Sequence, residues 1–374
     1  MEKKKIVFLT GTRADFGKLK SLIEITNSDP NYVVELFVTG MHLQAKYGST
    51  VDEIIKCGYP NIYKFINHTS EKSMDQNLAK TIQGFSDFVR ENKPHLIVIH
   101  GDRVEALAGA IVGSLNNILV AHVEGGEVSG TIDELIRHAV SKMSHTHFVS
   151  NAKAKQRLIQ MGELEEVIFE IGSPDVDAMI SKNLPSIDVV RSRYEIQFAD
   201  YGIVLFHPVT TESEHMGTYS TFLVNALLES ERNYVVIYPN NDLGSTDILK
   251  EYERLVGNHR FKIFPSVRFE YFLVLLKYAK CLVGNSSAGI REAPYYGLAT
   301  VNIGTRQQNR ALHQDILNAD YDEKDILSKI KIAFDLNFPP VSLYGEGKSD
   351  LLFKEAISSQ SFWNISKQKQ FKDL

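Results

Sequence analysis

"HLIVIHGDRVEALAGAIVGSLNNILVAHVEGGEVSGTIDELIRHAVSKM", from His95 to Met143, decides the fold. "HLIVIH" and "ILVAHV" are apolar along most of their length rather than at alternate positions. Each precedes a helix-compatible stretch, "VEALAGAIVGSLN" and "IDELIRHAVSKM". Strands apolar on both faces and separated by helices form a parallel sheet covered on both sides.

The same alternation runs outward in both directions. Upstream lie "KIVFLT", "KLKSLIEI" and "VVELFVTG"; downstream come "THFVS" and "KAKQRLIQMG". After "EIGSPDVDAM", where Gly172 and Pro174 punctuate the chain, the pattern restarts with four strand candidates, "GIVLFHPVTTE", "YVVIYPNND", "KCLVGNSSAG" and "ATVNIGTRQ". The expectation is α/β: two doubly wound Rossmann-like domains facing a cleft, residues 1–171 and 172–354, with a C-terminal helix at about 355–374 packing back on the first. The stretch "RFEYFLVLLKYA" has the helical spacing of a core element.

Composition narrows the class. A chain of 374 residues with 43% hydrophobic content is too long for one ordinary core. Its net charge of −5 leaves no basic footprint for nucleic acid. The apolar run after Lys3-Lys4-Lys5 is broken by Arg13 and Asp15, too early for a signal peptide, and no stretch approaches the roughly 20 apolar residues that span a bilayer. Two distant cysteines, Cys57 and Cys281, suit a soluble, reducing, cytoplasmic setting.

Polar clusters sit just after the strands, where ligands bind in parallel α/β sheets. Asp102 follows "HLIVIHG" and Glu124 follows "ILVAHV", so adjacent strands deliver two carboxylates to one place. Gathered acids in a partly desolvated cleft separate into proton donors and acceptors. Asp133 stands in the first turn after "GT"; "TIDE" also reads as a capping box on Thr131, in which Asp133 only complements the helix dipole. His207 closes a strand of the second half and is expected to face the carboxylates across the cleft. His100, His122, His145 and His147 lack zinc spacing and cysteine companions, so no metal is expected.

Anion-binding signals come from three loops. "GTRADFGKL" (Gly11–Leu19) opens a helix with Arg13 beside it; "GNSSAGIREAP" offers Ser286 and Ser287 with Glu292 in the following helix, and "GTRQQNR" adds Arg306 and Arg310. Together they suggest a diphosphate. No G-x-G-x-x-G supports a dinucleotide cofactor. "GEGKS" (Gly345–Ser349) lacks the first P-loop glycine, Ser342 standing in its place, and reads as a surface loop.

"GTRADFGKL", "GDRVEALA", "HVEGGEVSGTIDELIRHA", "FHPVTTE", "GNSSAGIREAP" and "GTRQ", in this order, resemble the hydrolysing UDP-N-acetylglucosamine 2-epimerases, bacterial sialic-acid-pathway enzymes that release N-acetylmannosamine and UDP. Non-hydrolysing relatives carry "GTRPE" and "VEAGLRT" where this chain has "GTRAD" and "VEGGEVS". The resemblance implies a GT-B-like pair of domains, a nucleotide-sugar substrate held mainly by the C-terminal domain, no cofactor and a homodimer or homotetramer. By motif it implies that Asp102, Glu124, Asp133 and His207 are catalytic. Arg13, Ser286, Ser287, Glu292 and Arg306 are implied to contact UDP, and Arg103, beside Asp102, is likewise expected to bind substrate or UDP. The expected division of labour is Glu124 or Asp102 as base, with Asp133 and His207 in a hydration step.

Rival classes are a non-hydrolysing 2-epimerase, a GT-B glycosyltransferase and a catalytically silent nucleotide-sugar binder. A nucleotide-linked 2,4-diacetamido sugar is the alternative substrate.

Overall fold

The computed structural model describes residues 3–45, 48–67, 73–129, 132–307, 310, 313–370 and 372. The chain forms two compact units: Met1–Glu127 with Asp133–Ile180 and Tyr344–Leu374, and Val128–Ile132 with Ser181–Leu343.

The first unit is built on seven parallel strands: β1 (Lys4–Thr10), β2 (Tyr32–Val38), β3 (Ile62–Lys64), β4 (Leu96–His100), β5 (Leu119–Val123), β6 (Thr146–Val149) and β7 (Ile168–Glu170). Their order, β3-β2-β1-β4-β5-β6-β7, reverses direction between β1 and β4. Both sheet faces are covered, which is why Ile6, Val7, Phe8, Ile97, Val98 and Ile99 are all fully buried. The second unit repeats the winding with β8 (Gly202–Leu205), β9 (Tyr234–Ile237), β10 (Phe261–Phe264), β11 (Cys281–Gly284), β12 (Ala299–Ile303) and β13 (Ile316–Ala319), in the order β10-β9-β8-β11-β12-β13. Its reversal lies between β8 and β11. In doubly wound sheets such reversals open the crevice that takes ligands.

Four strands escape the sequence reading: β3, β7, β10 and β13. All sit at sheet edges, and β3 and β7 have three residues each. The helix Phe269–Lys277 buries Phe272, Leu273, Val274, Leu275 and Leu276, so "FEYFLVLLKYA" is core.

The two compact units part at 180/181, where the expectation was 171/172. Gly172 and Pro174 do not mark a linker; Pro174 begins the helix Pro174–Ile180, a position where its missing N–H costs nothing. Lys18 Nζ binds Asp175 at 2.8 Å and Ser21 Oγ donates to Asp177 at 3.0 Å, fastening this helix to the helix Arg13–Asn27. Residues 344–354 likewise belong to the first unit. In "GEGKS", Asp177 accepts from the N–H groups of Ser349 and Asp350 at 3.0 and 3.1 Å, so a carboxylate occupies the start of the helix Ser349–Ser358. That helix end caps on protein rather than phosphate. Beyond it Phe353, Ile357 and Phe362 are buried against the first core, each stabilising by roughly 1.5–3 kcal/mol.

Candidate active site

Strand register sets the acids of the first unit. His100 pairs with Val123 across β4 and β5, and the next residues continue the match, since Gly101 N–H donates to the Val123 carbonyl at 3.0 Å. Asp102 and Glu124 therefore leave neighbouring strands at the same end. Glu124 is buried and adopts φ +64°, a left-handed conformation rare for a residue with a side chain. Strained positions of this kind persist where surrounding bonds over-determine them. Here the Glu124 N–H donates to Phe148 O at 2.8 Å, and Arg137 Nη1 donates to its carbonyl at 2.6 Å.

Arg137 also holds the Asp102 carboxylate through Nη2. It lies on the helix Ile132–Met143, one turn after Asp133, and residues four apart on a helix share a face. Asp133 is half-buried in that first turn. Three acids expected to act together are thus tied to one buried arginine or to its helix face. Thr131, the expected N-cap, lies outside the described residues. Glu127, the remaining carboxylate of this loop, accepts from Ser150 Oγ and is buried. Gly126 (φ +73°) lies so close to the Ala154 carbonyl that a Cβ would come within 2.2 Å of it.

Two more partners hold the Glu124 side chain. Ser173 Oγ donates to Oε1 at 2.6 Å, and His100 Nε2 lies 3.0 Å from Oε2. Opposing Glu124 across the His100 ring is Asp15, whose Oδ1 is 3.3 Å from Nδ1. Burial alone would lower the His100 pKa, but the Glu124 and Asp15 carboxylates outweigh it and raise it to about 9. None of His100, Arg137 or Ser173 stood among the expected site residues. The signal for His100 was its place as the last residue of an apolar strand.

"GTRADFGKL" proves to be a reciprocal cap. Thr12 Oγ1 accepts from Asp15 N–H at 3.1 Å, and Asp15 Oδ2 accepts from Gly11 N–H at 2.9 Å. Two of the backbone donors expected to cradle phosphate are therefore engaged within the loop. Arg13 pairs with Glu53 at 2.6 Å. Arg103 stands at the N-cap of the helix Val104–Leu115, with Nε 3.6 Å from Glu105. His122 donates to or accepts from Ser141 Oγ at 3.1 Å and is 2.8 Å from Gly101 O, while His147 is 3.0 Å from Glu163.

In the second unit Asn285 is the organising residue. Its side-chain oxygen accepts from His207 N–H at 2.7 Å and its Nδ2 donates to His207 O at 2.8 Å. Its carbonyl accepts from Arg306 Nη1 at 3.1 Å and Gln307 Nε2 at 3.0 Å. Arg310 Nη1 reaches Gln307 Oε1 at 3.1 Å, so both arginines of "GTRQQNR" converge on the end of β11. Gly284, at φ +140°, permits this approach: a Cβ there would be 2.0 Å from Leu205 O. Asn240 N–H donates to His207 Nδ1 at 3.0 Å, so a neutral His207 carries its proton on Nε2.

Ser287 occupies the N-cap of the helix Ala288–Tyr295 without a side-chain cap bond, while Ser286 Oγ accepts from Ala288 N–H at 3.3 Å. Ser286 thus caps the start of this helix. Glu292 is buried within the helix. Within this unit the structure gathers His207, Ser286, Ser287 and Arg306 at the ends of β8, β11 and β12, beside the strand-order reversal.

Two Rossmann-like domains, each carrying polar residues at its reversal point, define a GT-B-like α/β fold. A model of the UDP-N-acetylglucosamine 2-epimerase family matches residues 24–358, and the chain belongs to that family. It is 47% identical to the UDP-N-acetylglucosamine 2-epimerase of Neisseria meningitidis serogroup B over 99% of each chain. It is 34% identical to the UDP-N,N'-diacetylbacillosamine 2-epimerase (hydrolyzing) of Legionella pneumophila, over 92% of this chain and 93% of that one. In fold it resembles the Methanocaldococcus jannaschii UDP-GlcNAc 2-epimerase crystallised with UDP-GlcNAc and UDP. The TM-score is 0.81 at 21% identity, covering 95% of this chain and 99% of that one.

Proposed function

We propose that this chain is a hydrolysing 2-epimerase, converting UDP-N-acetylglucosamine and water to N-acetylmannosamine and UDP for sialic acid synthesis. The observation that carries this is one buried arginine, Arg137, binding the Asp102 carboxylate and the Glu124 backbone from the helix that bears Asp133. The "hydrolyzing" activity named for the Legionella relative supports the same branch.

C2 of an N-acetylhexosamine is a very weak carbon acid, so the C1–O bond to UDP breaks well ahead of proton removal. Donors from the second unit, with Arg306 and the Ser286–Ser287 turn foremost, stabilise the charge growing on UDP. Glu124 or Asp102 takes the C2 proton, leaving a glycal. Water then adds across the double bond, with a proton to C2 in the opposite stereochemical sense and hydroxide to C1. Asp133 and His207 serve that second step, His207 through its Nε2 proton. All of this chemistry uses side chains of the chain itself.

A second substrate reading has specific support, because the Legionella relative is named for a UDP-linked diacetamido sugar. The test is NMR of the reaction in D₂O. The expected products from UDP-N-acetylglucosamine are UDP and N-acetylmannosamine deuterated at C2. Intact UDP-sugar as product would move the chain to the non-hydrolysing branch. Turnover of UDP-N,N'-diacetylbacillosamine alone would transfer the same chemistry to that substrate. An Asp102→Asn variant is expected to bind UDP and turn over poorly.

A further inference from the structure

His100 is the last residue of β4, and both of its ring nitrogens face carboxylates: Nδ1 lies 3.3 Å from Asp15 and Nε2 3.0 Å from Glu124. A neutral imidazole has one N–H and cannot donate to both, whereas an imidazolium can. The His100 side chain is 9% exposed, so water contributes little to stabilising it. Burial disfavours the cation, yet the two carboxylates dominate and hold the ring protonated up to about pH 9.

The arrangement is anchored at both ends. Asp15 is fixed in the first turn of the helix Arg13–Asn27 by the Gly11 N–H. Glu124 has its other oxygen on Ser173 and its carbonyl on Arg137. Further ionisable groups border the chain of contacts. His122 on β5 is held well below its usual value by burial first and His147 next; Arg137 is engaged with Glu124 and Asp102. These leave His100 as the cation between Asp15 and Glu124.

We propose that His100 is a positioning residue for the reaction: as an imidazolium strapped between Asp15 and Glu124, it aims the Glu124 carboxylate and keeps it anionic to receive the C2 proton. This rests on the acid–base role given above to the first-unit acids, and it selects Glu124 among them as the base. In the elimination the C2–H electron pair becomes the C1=C2 π bond, the C1–O pair departs with UDP, and the proton passes to Glu124. His100 gains and loses no proton in that step.

The experiment is the pH profile of kcat and KM between pH 6 and 10 for the wild type, Asp15→Asn and Glu124→Gln, with UDP affinity measured for each. Removing the Asp15 charge takes away one source of attraction for the His100 proton. The alkaline limb of kcat, expected near pH 9 in the wild type, should therefore move down by about one pH unit in Asp15→Asn, with KM and UDP affinity little changed. Glu124→Gln should be inactive while still binding UDP. An inactive Glu124→Gln beside an Asp15→Asn limb that stays in place would overturn the role of His100. A Glu124→Gln that turns over normally would overturn the base assignment beneath it. Should Asp15→Asn fail to fold, ¹⁵N NMR titration of the wild-type ring, assigned by its loss in His100→Gln, serves instead. Titration near 9 supports the bridge; titration at or below 6.5 overturns it.

Discussion

Arg137 Nη1 lies 2.6 Å from the carbonyl oxygen of Glu124, a residue thirteen positions earlier at the end of another element. The same guanidinium grips Asp102, so one side chain fixes the backbone of one acid and the carboxylate of another. Planar, forked donation of this kind is specific to arginine. An Arg137→Met variant takes this donor from a half-buried carboxylate and from the Glu124 carbonyl. Breaking a fully buried pair from one side costs about 3–5 kcal/mol, and the partial exposure of Asp102 brings the cost below that. Displacing catalytic groups by ~1 Å costs on the order of 100-fold in rate. The expected result is a kcat loss of at least that size with a lower Tm, and only partial recovery in Arg137→Lys, read by steady-state kinetics and calorimetry.

The pH dependence of stability falls into opposed windows. His42 and His145 are buried and held down to about 4, by desolvation in both cases, so they are neutral in the fold. Unfolding lets each take up a proton, and stability is lost as pH falls from 6.5 to about 4. Burial would raise Glu163, but His147, Lys369 and Lys142 hold it to about 2; its contribution is present above 4.5 and lost as pH falls toward 2. His100 runs the other way, its stabilisation complete below 6.5 and lost as pH rises through about 9. Thermal unfolding across pH 3 to 10 should show Tm falling less steeply between 6.5 and 4 in His42→Gln than in the wild type. Glu163→Gln should flatten the slope below 4.5.

Asn285 joins three loops of the second unit through four hydrogen bonds to His207, Arg306 and Gln307. Asn285→Ala keeps the backbone carbonyl but removes both side-chain bonds to the His207 backbone, at about 0.5–1.5 kcal/mol each. Because His207 and Arg306 are expected to meet the nucleotide sugar, UDP affinity should drop on the order of tenfold or more. Isothermal titration with UDP checks this. Undiminished affinity would detach the loop cluster from nucleotide binding.

What the sequence disclosed and what it hid follow from how each feature is encoded. Central strands such as Leu96–His100 and Leu119–Val123 are buried on both faces and declare themselves by uninterrupted apolar runs. Edge strands such as Phe261–Phe264 are half-covered and carry no such run. The strand-end positions of Asp102 and Glu124 were legible because the apolar runs before them announce where each strand stops. Their supports were not. Ser173 meets Glu124 across 49 residues, and Arg137 resembles any charged residue on an amphipathic helix until tertiary packing turns it inward. Arg13 was marked by its glycine-bounded loop, yet its local partner is Glu53, forty residues on, which no spacing rule announces.

Lys369, near the C-terminus, is tied to the first unit. Its ammonium donates to the carbonyls of Ser141 and Ser144 at 3.2 and 2.7 Å and binds Glu163, while burial pushes its pKa down. Ser141 belongs to the last turn of the helix Ile132–Met143, so Lys369 supplies a cation where the helix leaves carbonyls unpaired and its dipole is negative. That helix bears Asp133 and Arg137 at its other end. Lys369→Met retains the apolar stem and removes the charge; Glu163 keeps Lys142 at 2.9 Å and His147 at 3.0 Å, so the first unit should stay folded with a Tm lowered by a few degrees. Amide exchange should quicken chiefly in residues 136–144, and kcat should fall several-fold with KM little changed. Exchange that rises equally across the first sheet would show the tail acting only as general core cover, without a particular hold on the helix that carries Asp133 and Arg137.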